Sequence, residues 1–131
     1  MNTPPGFATV TPYFFVDRAE AFVDFLVAGL GGEELLRHLR PDGRIGNSQV
    51  RIGSATVMVS ESTPAYPTMP GSFYLYVDNA DAAMARALAH GAKLEMSVGD
   101  KPYGDRQGGV RDAHGNLWWI SQRLVDGPYE A

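Results

Sequence analysis

Tyr74-Leu75-Tyr76-Val77-Asp78, in the middle of the chain, repeats Tyr13-Phe14-Phe15-Val16-Asp17 from near its beginning. Working outward from that pair, the offset of 61 residues carries Ala19 onto Ala80, Glu20 onto Asp81 and Ala21 onto Ala82. Further along it carries Val59-Ser60 onto Ile120-Ser121, and one gap brings Gly31 onto Gly91. Agreement in order, spacing and residue character over so much of a 131-residue chain marks an internal duplication.

Each copy has the same succession of patterns. Thr9 to Val16 is rich in β-branched and aromatic residues and reads as a strand, with Pro12 near its start. From Arg18 to about Ala28, Ala21, Phe22, Phe25 and Leu26 recur at helical spacing until Gly29, Gly31 and Gly32 stop the helix. Glu34 to Arg40, Arg44 to Ile52 and Ala55 to Ser60 follow as strands, separated by Pro41-Asp42-Gly43 and Gly53-Ser54. The second copy supplies a strand over Ser72 to Asp78 and a helix over Ala80 to His90. Three strands then cover Lys93 to Ser97, Gln107 to Asp112 and Asn116 to Gln122. The chain is therefore expected to be α+β, with two βαβββ modules over 8–60 and 72–123 joined by a Pro-rich linker, 61–71, in one domain.

These modules, and the closing segment Gly104-Asp105-Arg106-Gln107-Gly108-Gly109-Val110-Arg111-Asp112-Ala113-His114-Gly115-Asn116-Leu117-Trp118-Trp119-Ile120, resemble the vicinal oxygen chelate superfamily. That superfamily includes glyoxalase I, extradiol dioxygenases and bleomycin-resistance proteins, and the closing segment is most similar to its PhnB-like, or glyoxalase-like, branch. The resemblance spans about residues 8 to 123. It implies a cup-shaped mixed sheet with helices outside, a ligand cavity between the modules, and assembly as a homodimer. It also implies a divalent metal held from the first and last strand of each module.

The residues at those metal positions do not suit a metal. By alignment they are Thr11 and Ser72 on the first strands and Met58 and Trp119 on the last. Zinc, iron and manganese sites are built from imidazole, carboxylate or thiolate donors, and this chain has no cysteine and offers none of these groups there. His38, His90 and His114 fall on a strand, a helix end and a turn. The expectation is no metal and no other cofactor.

Alternation along a strand then assigns one face to a pocket. In phase with the former metal positions are Thr11, Tyr13, Phe15, Thr56, Met58 and Ser60, and in the second module Ser72, Tyr74, Tyr76, Leu117, Trp119 and Ser121. Phe14, Val16, Val57, Val59, Phe73, Leu75, Val77 and Ile120 alternate with them and are assigned to the core. An aromatic face with hydroxyl tips suits a small, flat organic molecule. The same rings can instead fill the cup against one another. Asn47, Gln49 and Arg51 share one face of a strand as possible rim residues, and Tyr103, Asp105 and Arg106 stand on a loop read as Val98 to Gln107, of the kind that carries function. Asp105 and Arg106 are equally suited to stapling that loop. No nucleophile stands beside a base and no glycine-rich phosphate loop precedes a helix, so catalytic residues are left unassigned.

The leading expectation is thus a metal-independent binder of a small aromatic molecule. Two alternatives stand beside it: a glyoxalase- or dioxygenase-type enzyme with an atypical site, and a ligand-free structural or interaction dimer. Eleven basic and fifteen acidic residues give a net charge of −4 with no basic stripe, which argues against nucleic acid. There is no apolar run of membrane-spanning length and no signal-peptide pattern, so a cytoplasmic location without membrane association is expected.

Overall fold

The computed structural model describes residues 2–130, and the chain divides into two compact units at Pro70 and Gly71. In the first unit, β1 (Tyr13–Val16) leads into helix α1 (Ala19–Asp24), which loosens into a π-helical turn, Phe25–Gly29. The strands β2 (Glu33–Leu39), β3 (Ile45–Ile52) and β4 (Ala55–Glu61) follow. The second unit repeats the order with β5 (Ser72–Tyr76), α2 (Ala80–Ala89), β6 (Lys93–Asp100), β7 (Asp105–Arg111) and β8 (Leu117–Arg123).

Each unit is a four-stranded mixed sheet, ordered β1-β4-β3-β2 in one and β5-β8-β7-β6 in the other. The helical crossover after each first strand lets it lie parallel to the last, while the short turns make the other pairs antiparallel. Duplication extends to register: Tyr13 lies opposite Met58, and its counterpart Tyr74 lies opposite Trp119.

One face of each sheet packs on its own helix. In the first unit Phe14, Val16, Val50, Val57 and Val59 are buried together with Ala19, Phe22, Val23 and Leu26 of the helical segment. In the second, Val110, Trp118 and Ile120 are buried with Ala80, Met84 and Ala87, and Phe73 stacks on Trp118 at 4.9 Å. The helix stripe in α2 is therefore Ala80, Met84 and Ala87, whereas Ala82 and Leu88 are exposed. Met84 needs Gly108 beneath it, because a Cβ there would stand 2.7 Å from the methionine Cε.

Both helices receive their N-terminal cap from the last residue or so of the sheet. Glu61 accepts from the backbone N–H groups of Arg18 and Ala19, each at 2.9 Å, and its repeat counterpart Gln122 accepts from Ala80 N at 3.0 Å. Asn79 caps α2 a second time through Ala82 N, but Arg18 at the corresponding place has no such side chain and sits at φ 55°. Glu61 is consequently the principal cap of α1. Glu61→Ala is expected to lower stability by about 1 kcal/mol, read from the denaturant midpoint, with Glu61→Gln recovering part of the loss.

Two stretches differ from the sequence reading. The first strand begins at Tyr13 and not Thr9, since Pro12 has no N–H to donate to a ladder. The stretch read as a loop from Val98 to Gln107 is mostly strand: Gly99 pairs with Gln107 and Asp100 with Arg106, leaving only Lys101 to Gly104 as the turn. A bulge between Met96 and Gly99 breaks the alternation that would have betrayed this strand. The linker is also ordered on the first sheet, with Ser62 N donating to Val16 O at 2.9 Å and Met69 N to Phe15 O at 3.1 Å.

Candidate functional site

The face of each sheet turned away from its helix carries the candidate residues. In the second unit, pairing of β5 with β8 and of β8 with β7 sets Ser72, Tyr74 and Tyr76 beside Leu117, Trp119 and Ser121, and these beside Gln107 and Gly109. Period-two alternation places Asp105 and Arg123, which lie opposite each other, on the same face. Trp119 packs against Gly109, where a Cβ would come within 2.8 Å of the indole, and its Nε1–H donates to Ser72 Oγ at 2.9 Å. Gln107 donates to Ser121 Oγ at 2.7 Å and accepts from the Tyr103 hydroxyl.

Asp105 is the centre of this face. Its side chain is 0% exposed. One carboxylate oxygen accepts from Arg123 Nη1 at 3.0 Å, and the other from the hydroxyls of Tyr74 and, at 2.7 Å, Tyr129. Because the Tyr129 O–H is already donated to Asp105 in a hydrogen bond, the 2.7 Å contact between Tyr76 and Tyr129 has Tyr76 as donor. Arg123 also donates to Tyr103 O at 2.7 Å and lies 4.1 Å from the centre of the Tyr129 ring. That is a cation–π contact closing the network from above.

These contacts decide protonation. Burial pushes the Asp105 carboxyl up, but the Tyr74, Tyr129 and Arg123 hydrogen bonds outweigh it and hold the group below the ordinary carboxylate range. Burial first, and then the hydrogen bond to Asp105, push the Tyr74 hydroxyl up. The hydrogen bond with Tyr76, burial and Asp105 push Tyr129 up. The site at neutral pH is thus an ionised carboxylate surrounded by neutral phenols. With three donors on its two oxygens and its basicity lowered, Asp105 is suited to holding a hydroxyl in place and poorly suited to abstracting a proton.

In the first unit the corresponding face is an aromatic stack. Tyr13 and Phe15 lie 4.8 Å apart and nearly parallel, and Tyr66 from the linker continues the stack 5.6 Å from Phe15. Asn47 lies 3.5 Å from the Tyr13 hydroxyl and accepts from Gln49 at 3.1 Å, while Met58 stands opposite both Tyr13 and Gln49. Ser60 accepts from Arg40 at 3.0 Å.

The remaining candidates lie apart from these clusters. Thr11 precedes β1 and donates to Ala8 O, and Thr56 is buried under the N-terminal segment, donating to Gly6 O at 2.7 Å. Arg51 lies against Gly6. Arg106 is on the helix side of its strand, bound to Asp81 at 2.8 Å and Asp100 at 2.9 Å. Those two carboxylates push its pKa further up.

Metal-ligand chemistry does not fit the four positions that the resemblance marks. Trp119 has no lone pair to give and already donates to Ser72, Thr11 lies off its strand, and Met58 packs beside Tyr13. Among the described residues no group of three or more His, Asp or Glu side chains comes together in a way that could hold a metal ion.

Asp105, Gln107, Arg123, Tyr129 and Tyr66 are the residues of these faces that were not assigned to the pocket from sequence. Asp105 and Gln107 carry a usable signal, since they alternate two apart toward Gly109, but only once β7 is known to begin at Asp105. Tyr66 and Tyr129 lie in segments without periodicity, where a ring's partner is set by the path of the chain.

Residues 7–120 match the family model of the Glyoxalase/Bleomycin resistance protein/Dioxygenase superfamily. An uncharacterized protein of Mycobacterium bovis is 33% identical over 133 positions, covering 93% of this chain and 86% of its own length. TioX from Micromonospora sp. ML1 superposes with a TM-score of 0.72 at 30% identity, covering 88% of this chain and 96% of its own. TnmS3, an antibiotic binding protein from Streptomyces sp. CB03234, superposes with a TM-score of 0.67 at 24% identity, covering 88% and 97%, and so shares the fold.

Proposed function

The chain belongs to the glyoxalase/bleomycin resistance protein/dioxygenase superfamily, and from that premise we propose that it binds a small aromatic molecule without a metal, on the open face of its second unit. The observation that carries this reading is the pairing of a flat indole, Trp119 against Gly109, with an ordered set of hydroxyl, amide and carboxylate groups on one sheet face. An apolar platform with a few fixed polar groups is how small-molecule sites combine affinity with orientation. The antibiotic-binding character of TnmS3, a fold relative, agrees with this use of the scaffold. The lowered basicity of Asp105 favours sequestration over turnover.

In this reading the protein works in the cytoplasm as a homodimer. Support for assembly comes from the large apolar side chains left exposed on the strands, Leu36 at 49% and Leu94 at 56% among them. Sedimentation equilibrium yielding a monomer at micromolar concentration would remove that part of the proposal.

The binding claim is tested by tryptophan emission. Trp118 is buried and Trp119 half-buried on the candidate face, so a planar aromatic ligand is expected to quench Trp119 selectively. A panel of planar antibiotics and aromatic fragments titrated into the wild-type chain should include compounds that quench, and Trp119→Phe should lose both the signal and about tenfold in affinity by calorimetry. A full panel without a response would sink the proposal.

A further inference from the structure

Tyr129 reaches the candidate face from outside the sheet. It belongs to the C-terminal segment after β8, which forms neither helix nor strand, and its ring remains 46% exposed. Yet its phenol group has the contacts of a bound ligand. The ring lies against the Arg123 guanidinium at 4.1 Å, the hydroxyl donates to Asp105 at 2.7 Å, and the same oxygen accepts from Tyr76 at 2.7 Å. The segment itself is held lightly, by Leu124 N to Gly104 O at 2.9 Å and by long contacts of 3.4 and 3.3 Å from Arg123 to the carbonyls of Gly127 and Pro128. It can leave without breaking a ladder of the sheet.

We infer that the ligand of this face carries a phenolic hydroxyl, and that Tyr129 is an internal phenol occupying the subsite that the ligand's hydroxyaryl group takes. The inference rests on the binding reading above and narrows its ligand class. Its chemistry is that of the carboxylate. Asp105 is fully buried, and an aromatic ligand that displaces Tyr129 without replacing its O–H leaves that carboxylate oxygen short of a partner. A site of this kind accepts a phenol and rejects the matching ether. Arg123 then stacks on the incoming ring as it does on that of Tyr129.

Tethering gives Tyr129 an effective concentration in the millimolar range, so it competes with weak phenols and scales their apparent affinity down to the fraction of time it leaves the subsite empty. The probe is p-cresol, the side chain of tyrosine as a free molecule, titrated by ligand-detected NMR into the full-length wild type and Tyr129→Ala. We expect the variant to bind p-cresol about tenfold more tightly than wild type, and to prefer it over 4-methylanisole by at least about tenfold. Equal affinities in the two proteins, or equal binding of p-cresol and 4-methylanisole, would overturn the inference. If circular dichroism shows Tyr129→Ala unfolded, Tyr129→Phe serves in its place. It removes the hydroxyl that holds the ring at Asp105 and Tyr76, so the ring leaves the subsite more readily; p-cresol should again bind more tightly, and an unchanged affinity overturns the inference. Quenching of Trp119 by aromatics that lack a hydroxyl, with no gain for p-cresol in the variant, rejects the phenol subsite alone. Silence of Trp119 toward every aromatic in wild type and variant rejects both readings.

Discussion

Asp105→Ala should unfold at distinctly lower denaturant, with a loss of about 3 kcal/mol, and the variant that remains folded should lose ligand response on the second sheet. The side chain is fully buried, and its removal takes the acceptor from the hydroxyls of Tyr74 and Tyr129 and leaves Arg123 Nη1 with the Tyr103 carbonyl alone. Removing one member of a buried charged network costs more than the net worth of the intact network, because the partners keep their desolvation cost without its compensation. The pH dependence has a definite sign. Asp105 is held below the ordinary range near 3.8, so the unfolded chain binds its proton more readily than the folded one. Its contribution is fully present above that range and is lost as pH falls below about 4. Urea midpoints measured from pH 6 to pH 2.5 should therefore fall on the acid side in wild type, and less steeply in Asp105→Asn. Parallel acid limbs in the two proteins would show that the carboxylate is not held as described.

Asp112→Ala is expected to have a comparable effect on stability, about 2 to 4 kcal/mol, for a different structural reason. Asp112 is only 4% exposed and stands at the turn between β7 and β8. Its oxygens accept from the backbone N–H groups of His114 and Asn116 at 2.9 and 3.0 Å, from the Asn116 amide at 3.1 Å, and from the Trp118 indole at 2.8 Å. One carboxylate thus orders the turn and joins it to the core, since Trp118 is itself buried against Phe73. Asp112→Asn presents an N–H₂ group to some of these donors and should recover little. Near-ultraviolet circular dichroism of the buried indole, followed through urea unfolding, reads the loss directly. The two aspartates are separable by binding: protein that remains folded after Asp112→Ala should keep its affinity for aromatic ligands, whereas Asp105→Ala should not.

Both aspartates show where sequence reading succeeds and where it stops. The Asp112-Ala113-His114-Gly115-Asn116 stretch reads as a turn because Asp, Gly and Asn favour turns through their own local backbone preferences. That Asp112 also holds the Trp118 indole is not local, and no spacing rule announces it. From sequence Asp105 reads as a loop residue, suited either to function there or to stapling the loop. Its stapling partners are Arg123, at the end of another strand, and Tyr129, beyond the last strand, rather than the neighbouring Arg106, which turns to Asp81 on the opposite face. Strand alternation explains that division, but it is hidden in the sequence because the bulge between Met96 and Gly99 makes the end of β6 and the start of β7 look like one long loop.

By itself, the sequence determined what is periodic. The repeat at a 61-residue offset establishes two βαβββ units, and alternation separates a helix-facing side from an open side of each sheet. These properties depend on residues near one another in the chain or at a fixed repeat offset, and so they survive in a one-dimensional record. Tertiary structure alone decided the rest: the Glu61 cap on α1, the stacking of Tyr66 on Phe15, and the return of Tyr129 to Asp105 and Arg123. Each joins groups on different elements, and which partners meet is set by strand register, by a bulge and by the path of an aperiodic segment after the sheet is built.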